Sequence, residues 1–322
     1  MTRRVAVLCG GFGGARLAQG LQLALEPGAL TAIVNTADDL ELHGLAISPD
    51  LDTVMYTLAG QANLETGWGL RDETWSAAEM LARYGQPTWF RLGDRDLATH
   101  IVRTARLRDG ARLTTVTAEL AAALGVASRL LPMSDAPVRT QLRTAAGWLP
   151  FQVYFVERAQ ADEVLEVRFE GLAAAAPTAE VLEALAGAEA ILLAPSNPYV
   201  SLGPILALPG LTDALRAAAA PVVAVSPIIG GAAVRGPADR MLASLGAEPS
   251  AAGVAHLFAQ RYPGLVDGWL IDRLDAGQAA EIEALGARVA VTDTLMSGPA
   301  ARRRVAEASL ALAAAWTLAR TE

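Results

Sequence analysis

The sequence predicts a doubly wound α/β fold on a mostly parallel sheet, with a helical insertion covering one edge. Short β-branched runs recur at residues 4–8, 30–35, 190–194, 221–226, 268–271 and 287–291. Most are apolar throughout, as strands buried on both faces of a parallel sheet are. Helical patterns at 14–25, 178–186 and 300–319 lie between or after them, and strand and helix in alternation mark a layered α/β domain. Hydrophobic residues make up 52% of the 322 positions, enough to bury a sizeable core.

The middle reads differently. From about 59 to 167 the pattern holds two or three helices and then a predicted strand at 151–156. We therefore read one domain over 1–322, with a core of about 1–58 and 168–322 and an insertion of about 59–167 over the open end of the sheet. Alanine-rich stretches such as 173–176 and 217–220 are helix-favouring.

Composition excludes several classes. No run approaches the roughly 18 apolar residues of a membrane span. The start, Met1-Thr2-Arg3-Arg4 followed by only Val5 to Cys9 before glycines, is too short for a secretory leader, so a cytoplasmic protein is expected. A formal charge of −8 makes a poor nucleic-acid binder. The one cysteine, Cys9, lies in an apolar run and reads as a buried, inert thiol. Three histidines, His43, His100 and His256, argue against a multi-histidine zinc site, and His256 sits in a helical pattern as a structural residue.

Chemistry-bearing segments follow the strands. Cys9-Gly10-Gly11-Phe12-Gly13-Gly14-Ala15-Arg16 opens a helix after the first strand. Glycines let backbone approach a phosphate and the helix start offers free N–H groups, so an anion cradle is one reading and a tight packing turn the other. The segment is neither a dinucleotide fingerprint, since Arg16 stands at the last glycine position, nor a Walker loop. Asn35-Thr36-Ala37-Asp38-Asp39 after the second strand could hold hydroxyls or metal-bound water, or simply cap. Ser48-Pro49-Asp50-Leu51-Asp52 reads as a helix start. Asp50 and Asp52 diverge there, each a candidate metal ligand, base or helix-end carboxylate. Arg91 to His100 crowds arginines and aspartates round a glycine, and His100 can meet Asp96 one helical turn away. Leu131-Pro132-Met133-Ser134-Asp135, Pro195-Ser196-Asn197-Pro198 and Ser226-Pro227-Ile228-Ile229-Gly230-Gly231 complete the set of polar loops. Asn197 could read a base edge, and the backbone from Ser226 to Gly231 could hold a phosphate; tight strand-to-helix turns are the bland alternative. No nucleophile elbow is present.

In combination these segments resemble the 2-phospho-L-lactate transferases of coenzyme F420 biosynthesis. Gly67-Trp68-Gly69, Leu92-Gly93-Asp94-Arg95-Asp96 with Thr99-His100, and Asp293-Thr294-Leu295-Met296 add to the likeness, in order from residue 7 to about 296. Arg71-Asp72-Glu73-Thr74-Trp75 and Ala82-Arg83-Tyr84-Gly85 look most like the actinobacterial branch, which uses the phosphoenolpyruvate-derived donor. The resemblance implies a Rossmann-like sheet and transfer of 2-phospholactate or enolpyruvyl phosphate from its guanosine diphosphate ester to the ribityl hydroxyl of the deazaflavin Fo, releasing GMP. It implies Mg²⁺, and a homodimer. Asp52 and position 91 are carried over as deazaflavin contacts, with Asp52 also placed as catalytic and metal-binding beside Asp50. Asp38 and Asp39 are further metal candidates. Ser134 and Asp135 are added as deazaflavin contacts from their polar loop. Gly10 to Gly14, Asn35, Asn197, Ser226, Ile229 and Gly230 would hold the nucleotide. A regulatory nucleotide-sugar binder of the gluconeogenesis-factor type shares the glycine start and the Asn-x-x-Asp-Asp pattern and is the competing reading; an NAD-dependent oxidoreductase fits worse.

Overall fold

In a computed structural model, which describes residues 4–321, seven strands form one sheet. They are β1 (Val5–Cys9), β2 (Leu30–Val34), β3 (Arg129–Pro132), β4 (Ala190–Leu193), β5 (Val222–Val225), β6 (Gly268–Asp272) and β7 (Arg288–Thr292). Their spatial order is β7-β6-β5-β4-β1-β2-β3. Every pairing is parallel. The all-apolar runs explain this: β1 sends Ala6 and Leu8 into one core and Val5, Val7 and Cys9 into the other. A strand with water on neither side has no use for polar alternation. Burial holds the Cys9 thiol far above its usual pKa, so it is inert, as expected.

Helices cover both faces. Gly11–Ala24, Pro49–Leu58 and Pro299–Thr321 pack on the face that holds Val7. Leu202–Ala207, Leu211–Ala217 and Ala251–Arg261 cover the opposite face. His256 lies on the last of these, exposed, 2.8 Å from Glu281. Among the described residues no helix is long and apolar enough to cross a membrane.

The six expected strands form within a residue of their expected bounds; the seventh, β3, lies inside 59–167. That stretch therefore both covers the sheet and supplies its edge strand. It also holds the helices Ser76–Arg83, Asp94–Arg108 and Leu113–Ala123, and two strands of a small antiparallel sheet, Arg139–Thr144 and Gly147–Pro150, completed by Glu166–Glu170. The strand expected at 151–156 is helical instead, with a π-wound turn over Val153–Glu157. Phe151 and Phe155 stack there with ring centres 5.2 Å apart. On a strand, residues four apart would be separated by about 13 Å.

The helices Gly11–Ala24 and Pro299–Thr321 approach closely at Gly20, where a Cβ would run into the backbone of Arg302. Gly20→Val should lower stability by about 1–3 kcal/mol through overpacking. In urea unfolding the midpoint should fall with the slope unchanged; an unmoved midpoint would mean the helices do not meet there.

Candidate active site

The strand order reverses between β1 and β4. The chain leaves β1 for a helix on one face and leaves β4 for helices on the other. The two loops therefore part, opening a crevice beyond the carboxyl ends of the strands. Here it is a cavity of about 570 Å³.

The first wall is the glycine loop. The helix Gly11–Ala24 has no acidic residue in its own first turn; the Asp50 carboxylate takes the Gly11 N–H from a neighbouring helix, and the next N–H groups, at Phe12 and Gly13, face the crevice. Gly11 has φ +62°, and a Cβ on Gly13 would meet the carbonyl of Pro195. The hydroxyl of Ser196 ties this loop to the one after β4, lying 3.2 Å from Gly10 N and 2.8 Å from Gly10 O.

Carboxylates form the floor. The side-chain amide of Asn35 donates to Asp38 Oδ2 and to Asp50 Oδ2, both at 3.0 Å. Asp38 Oδ1 is buried without a partner. Burial pushes Asp50 up to about 6 and Asp39 up to about 7. Asp38 is raised well above the usual range, first by burial and then by the charge of Asp50. Asp39 is partly offset by the Arg139 and Arg103 guanidiniums, whereas among the described residues no cation stands against Asp38 or Asp50. Hard oxygen ligands facing a cavity beside an anion cradle suit a divalent cation such as Mg²⁺, whose binding would supply the missing charge. Asp38 and Asp50 fit that role.

A family model for "2-phospho-L-lactate transferase CofD" matches residues 5–304. The chain belongs to that family. It is a transferase. Curated relatives named phosphoenolpyruvate transferase are 46% identical in Streptomyces griseus, over 96% of this chain and 98% of that protein, and 44% identical in Mycobacterium avium over the same shares. Among solved structures, a UPF0052-family protein from Bacillus halodurans matches the fold with TM-score 0.66 at 17% identity, covering 96% of this chain and 99% of that one.

In this CofD-family chain Asp52 lies on the other side of its helix from Asp50. Both of its oxygens are taken by Arg103, one at 3.0 Å from Nη1 and the other by Nη2. Arg103 is itself fully buried. His100 Nδ1 lies 3.7 Å from Asp52, and His100 Nε2 lies 3.4 Å from Asp96. Asp96 also accepts from the Tyr56 hydroxyl at 2.7 Å. The expected metal pair of Asp50 with Asp52 therefore does not form. Residues two apart on a helix point about 200° from one another, and the neighbour Asp50 meets is Asp38. Asp52, Asp96 and His100 are close enough to share a cation, but Arg103 already occupies that position as the positive charge.

The other expected positions divide. Arg91 lines the cavity, its guanidinium 3.9 Å from the centre of the Trp75 ring. Gly10, Gly11, Phe12, Gly13, Asn197, Ser226 and Ile229 also line it. Gly14 packs against Cys9 and Ser196 instead. The Asn197 carbonyl accepts from the N–H of Tyr199 and Val200, so the side chain shapes its own turn. In the loop after β5, Ser226 N donates to Leu270, Ile228 N to the Ser226 hydroxyl and Gly230 N to Asp275. Those amides are spent and cannot cradle a phosphate. Ser134 and Asp135 do not reach the cavity. Ser134 is buried and donates to Ala176 O. Asp135 caps the helix at Thr114 and pairs with Arg112.

An aromatic wall went unpredicted. Of six Trp and six Phe in the chain, Trp68, Trp89, Phe12, Phe90, Phe151 and Phe155 line the cavity. Planar apolar surface of this kind accepts a planar ring by stacking.

Two outcomes follow from the charges. Arg103→Ala strands the buried Asp52 charge and should cost about 3–5 kcal/mol. The double variant with Asp52→Ala should be less destabilised than the sum of the two single changes, which a urea double-mutant cycle checks. Separately, Asp50 and Asp39 carry folded pKa values above their ordinary 3.8. The native state thus binds more protons than the unfolded chain from about pH 4 to 7, and this contribution to stability falls as pH rises through that window. Mg²⁺ should therefore raise the melting temperature more at pH 8 than at pH 5; equal shifts would exclude Asp50 as its ligand.

Proposed function

We propose that this chain carries out the transferase step of coenzyme F420 biosynthesis in which a phosphorylated three-carbon acid passes from a guanosine diphosphate ester to the ribityl hydroxyl of Fo. The observation that carries the reading is the meeting, in one cavity, of a glycine-rich helix start, a pair of under-compensated carboxyls and an aromatic wall. A diphosphate ester and a planar deazaflavin need those three surfaces side by side.

The acceptor hydroxyl attacks the phosphorus that bears the acid. A new P–O bond forms, the bond to the bridging oxygen breaks, GMP leaves, and the hydroxyl proton is lost to solvent or a carboxylate. Mg²⁺ would neutralise developing charge on the diphosphate. Such transfers depend mainly on positioning and electrostatics. Asp38 and Asp50 hold the cation side. Phe12 and Gly13 offer backbone N–H groups to the phosphates. Trp68, Trp89 and Phe90 stack the deazaflavin near Arg91. Asp52, held in place by Arg103, orients the acceptor. The names of the actinobacterial relatives favour the enolpyruvyl donor over the phospholactate one.

Incubation with Fo, Mg²⁺ and each guanylated donor should release GMP and give a product of the mass of dehydro-F420-0 from the enolpyruvyl donor. Asp50→Asn should slow turnover by ~100-fold or more while Fo still quenches tryptophan fluorescence. A regulatory nucleotide binder would show no Fo quenching and no GMP, and that result would sink the proposal.

A further inference from the structure

At the cavity mouth two arginines share one aromatic ring. The guanidinium carbon of Arg16 lies 3.8 Å from the centre of Phe12, and that of Arg235 lies 4.5 Å from it. Arg16 stands in the helix that follows the glycine loop, whereas Arg235 comes from the segment before the helix Ala238–Ser244. Both line the cavity. The turn at Gly67 closes over them: its φ is +75°, a Cβ there would strike both Arg235 and Phe12, and Arg235 donates to the Thr66 carbonyl. Three separate segments thus converge on two like charges.

Among the described residues neither arginine makes an ion pair. Arg16 Nε is buried with no hydrogen-bond partner. Burial, then repulsion from Arg302 and Arg235, lowers the Arg16 pKa to about 10. Stacking on Phe12 fixes the guanidinium planes but uses none of their N–H groups. Packing like charges together without a carboxylate is unfavourable unless an anion joins them. Arginine suits carboxylate and phosphate because its fork donates to two oxygens at once. Neither arginine pairs with Asp38 or Asp50, whose shared partner is Asn35.

We propose that Arg16 and Arg235 form a second oxyanion receptor, which takes the donor oxyanion that the Asp38–Asp50 side leaves free. Resting on the transferase reading, that oxyanion is either the carboxylate of the three-carbon acid or the outer phosphate. A donor held at both ends presents its phosphorus in one orientation, so these arginines act as positioning and specificity residues rather than as catalytic ones.

The test is calorimetric titration of the full chain with GDP, inorganic pyrophosphate and phosphoenolpyruvate. Wild type, Arg16→Gln, Arg235→Gln and Arg235→Lys are compared, with melting curves confirming that each variant is folded. Arg235 is exposed, so its variants keep the test alive if Arg16→Gln does not fold. Arg235→Gln should weaken binding roughly 10- to 100-fold, and Arg235→Lys should recover part of the loss. Loss across all three probes assigns the outer phosphate; loss confined to phosphoenolpyruvate assigns the carboxylate. Unchanged affinities in folded Arg235→Gln, or no binding of any probe by wild type, overturns the receptor. The transferase reading is judged apart, by GMP release from wild type. Arginine-dependent anion binding without GMP release would retain the receptor and discard the reaction.

Discussion

Side by side in the sheet, β1 and β4 send their connections to opposite faces. The cavity opens above them, where those connections part. The glycine loop and the loop at Pro195 to Asn197 meet there, joined by the Ser196 hydroxyl. Their close approach is why Gly13 tolerates no Cβ, while Gly10 is crowded by the Asp50 carboxylate. The absence of side chains that exposes backbone N–H groups is thus a packing requirement first, and the opportunity for anion binding comes with it.

The helix Pro49–Leu58 is the hinge between two charge systems. Its Asp50 turns toward the glycine loop and shares Asn35 with Asp38, in a group short of positive charge. Its Asp52 turns toward Arg103, in a group already compensated. Both carboxylates line the cavity, but only Asp52 has a buried guanidinium against it. The opposition extends to the mouth, where Arg16 and Arg235 are positive groups in want of an anion. A ligand with several negative groups finds attraction from the arginines directly and from the carboxyls only through a cation.

The central strands and the long helices were legible because their signals are local. Runs such as Val5 to Cys9 and Val222 to Val225 are apolar on both faces and read directly as buried parallel strands. The strand β3 was missed because Arg129-Leu130-Leu131-Pro132 is four residues long and ends in proline, which reads as a turn. Residues 151–156 were misread because Val153, Phe155 and Val156 favour strands, while the stacking of Phe151 on Phe155 depends on the tertiary setting. In the site, the divergence of Asp50 and Asp52 followed from helical geometry. The partner of Asp52 did not, since Arg103 lies 51 positions away in the chain. Nor could spacing show that Asp275 occupies the Gly230 amide, or that Asp135 is spent as a helix cap. The aromatic wall is drawn from residues 12, 68, 89, 90, 151 and 155. Its members share no motif, and only a scarcity of aromatics, 5% of the chain, hinted that each had a purpose.

The helix Asp94–Arg108 buries Asp96, His100, Arg103 and Thr104 and no apolar side chain completely. An element seated on charges instead of hydrocarbon uncovers little oily surface when it lifts, so its local opening carries only a small heat-capacity change. Water can solvate the exposed ions, whereas it could not compensate a torn apolar contact.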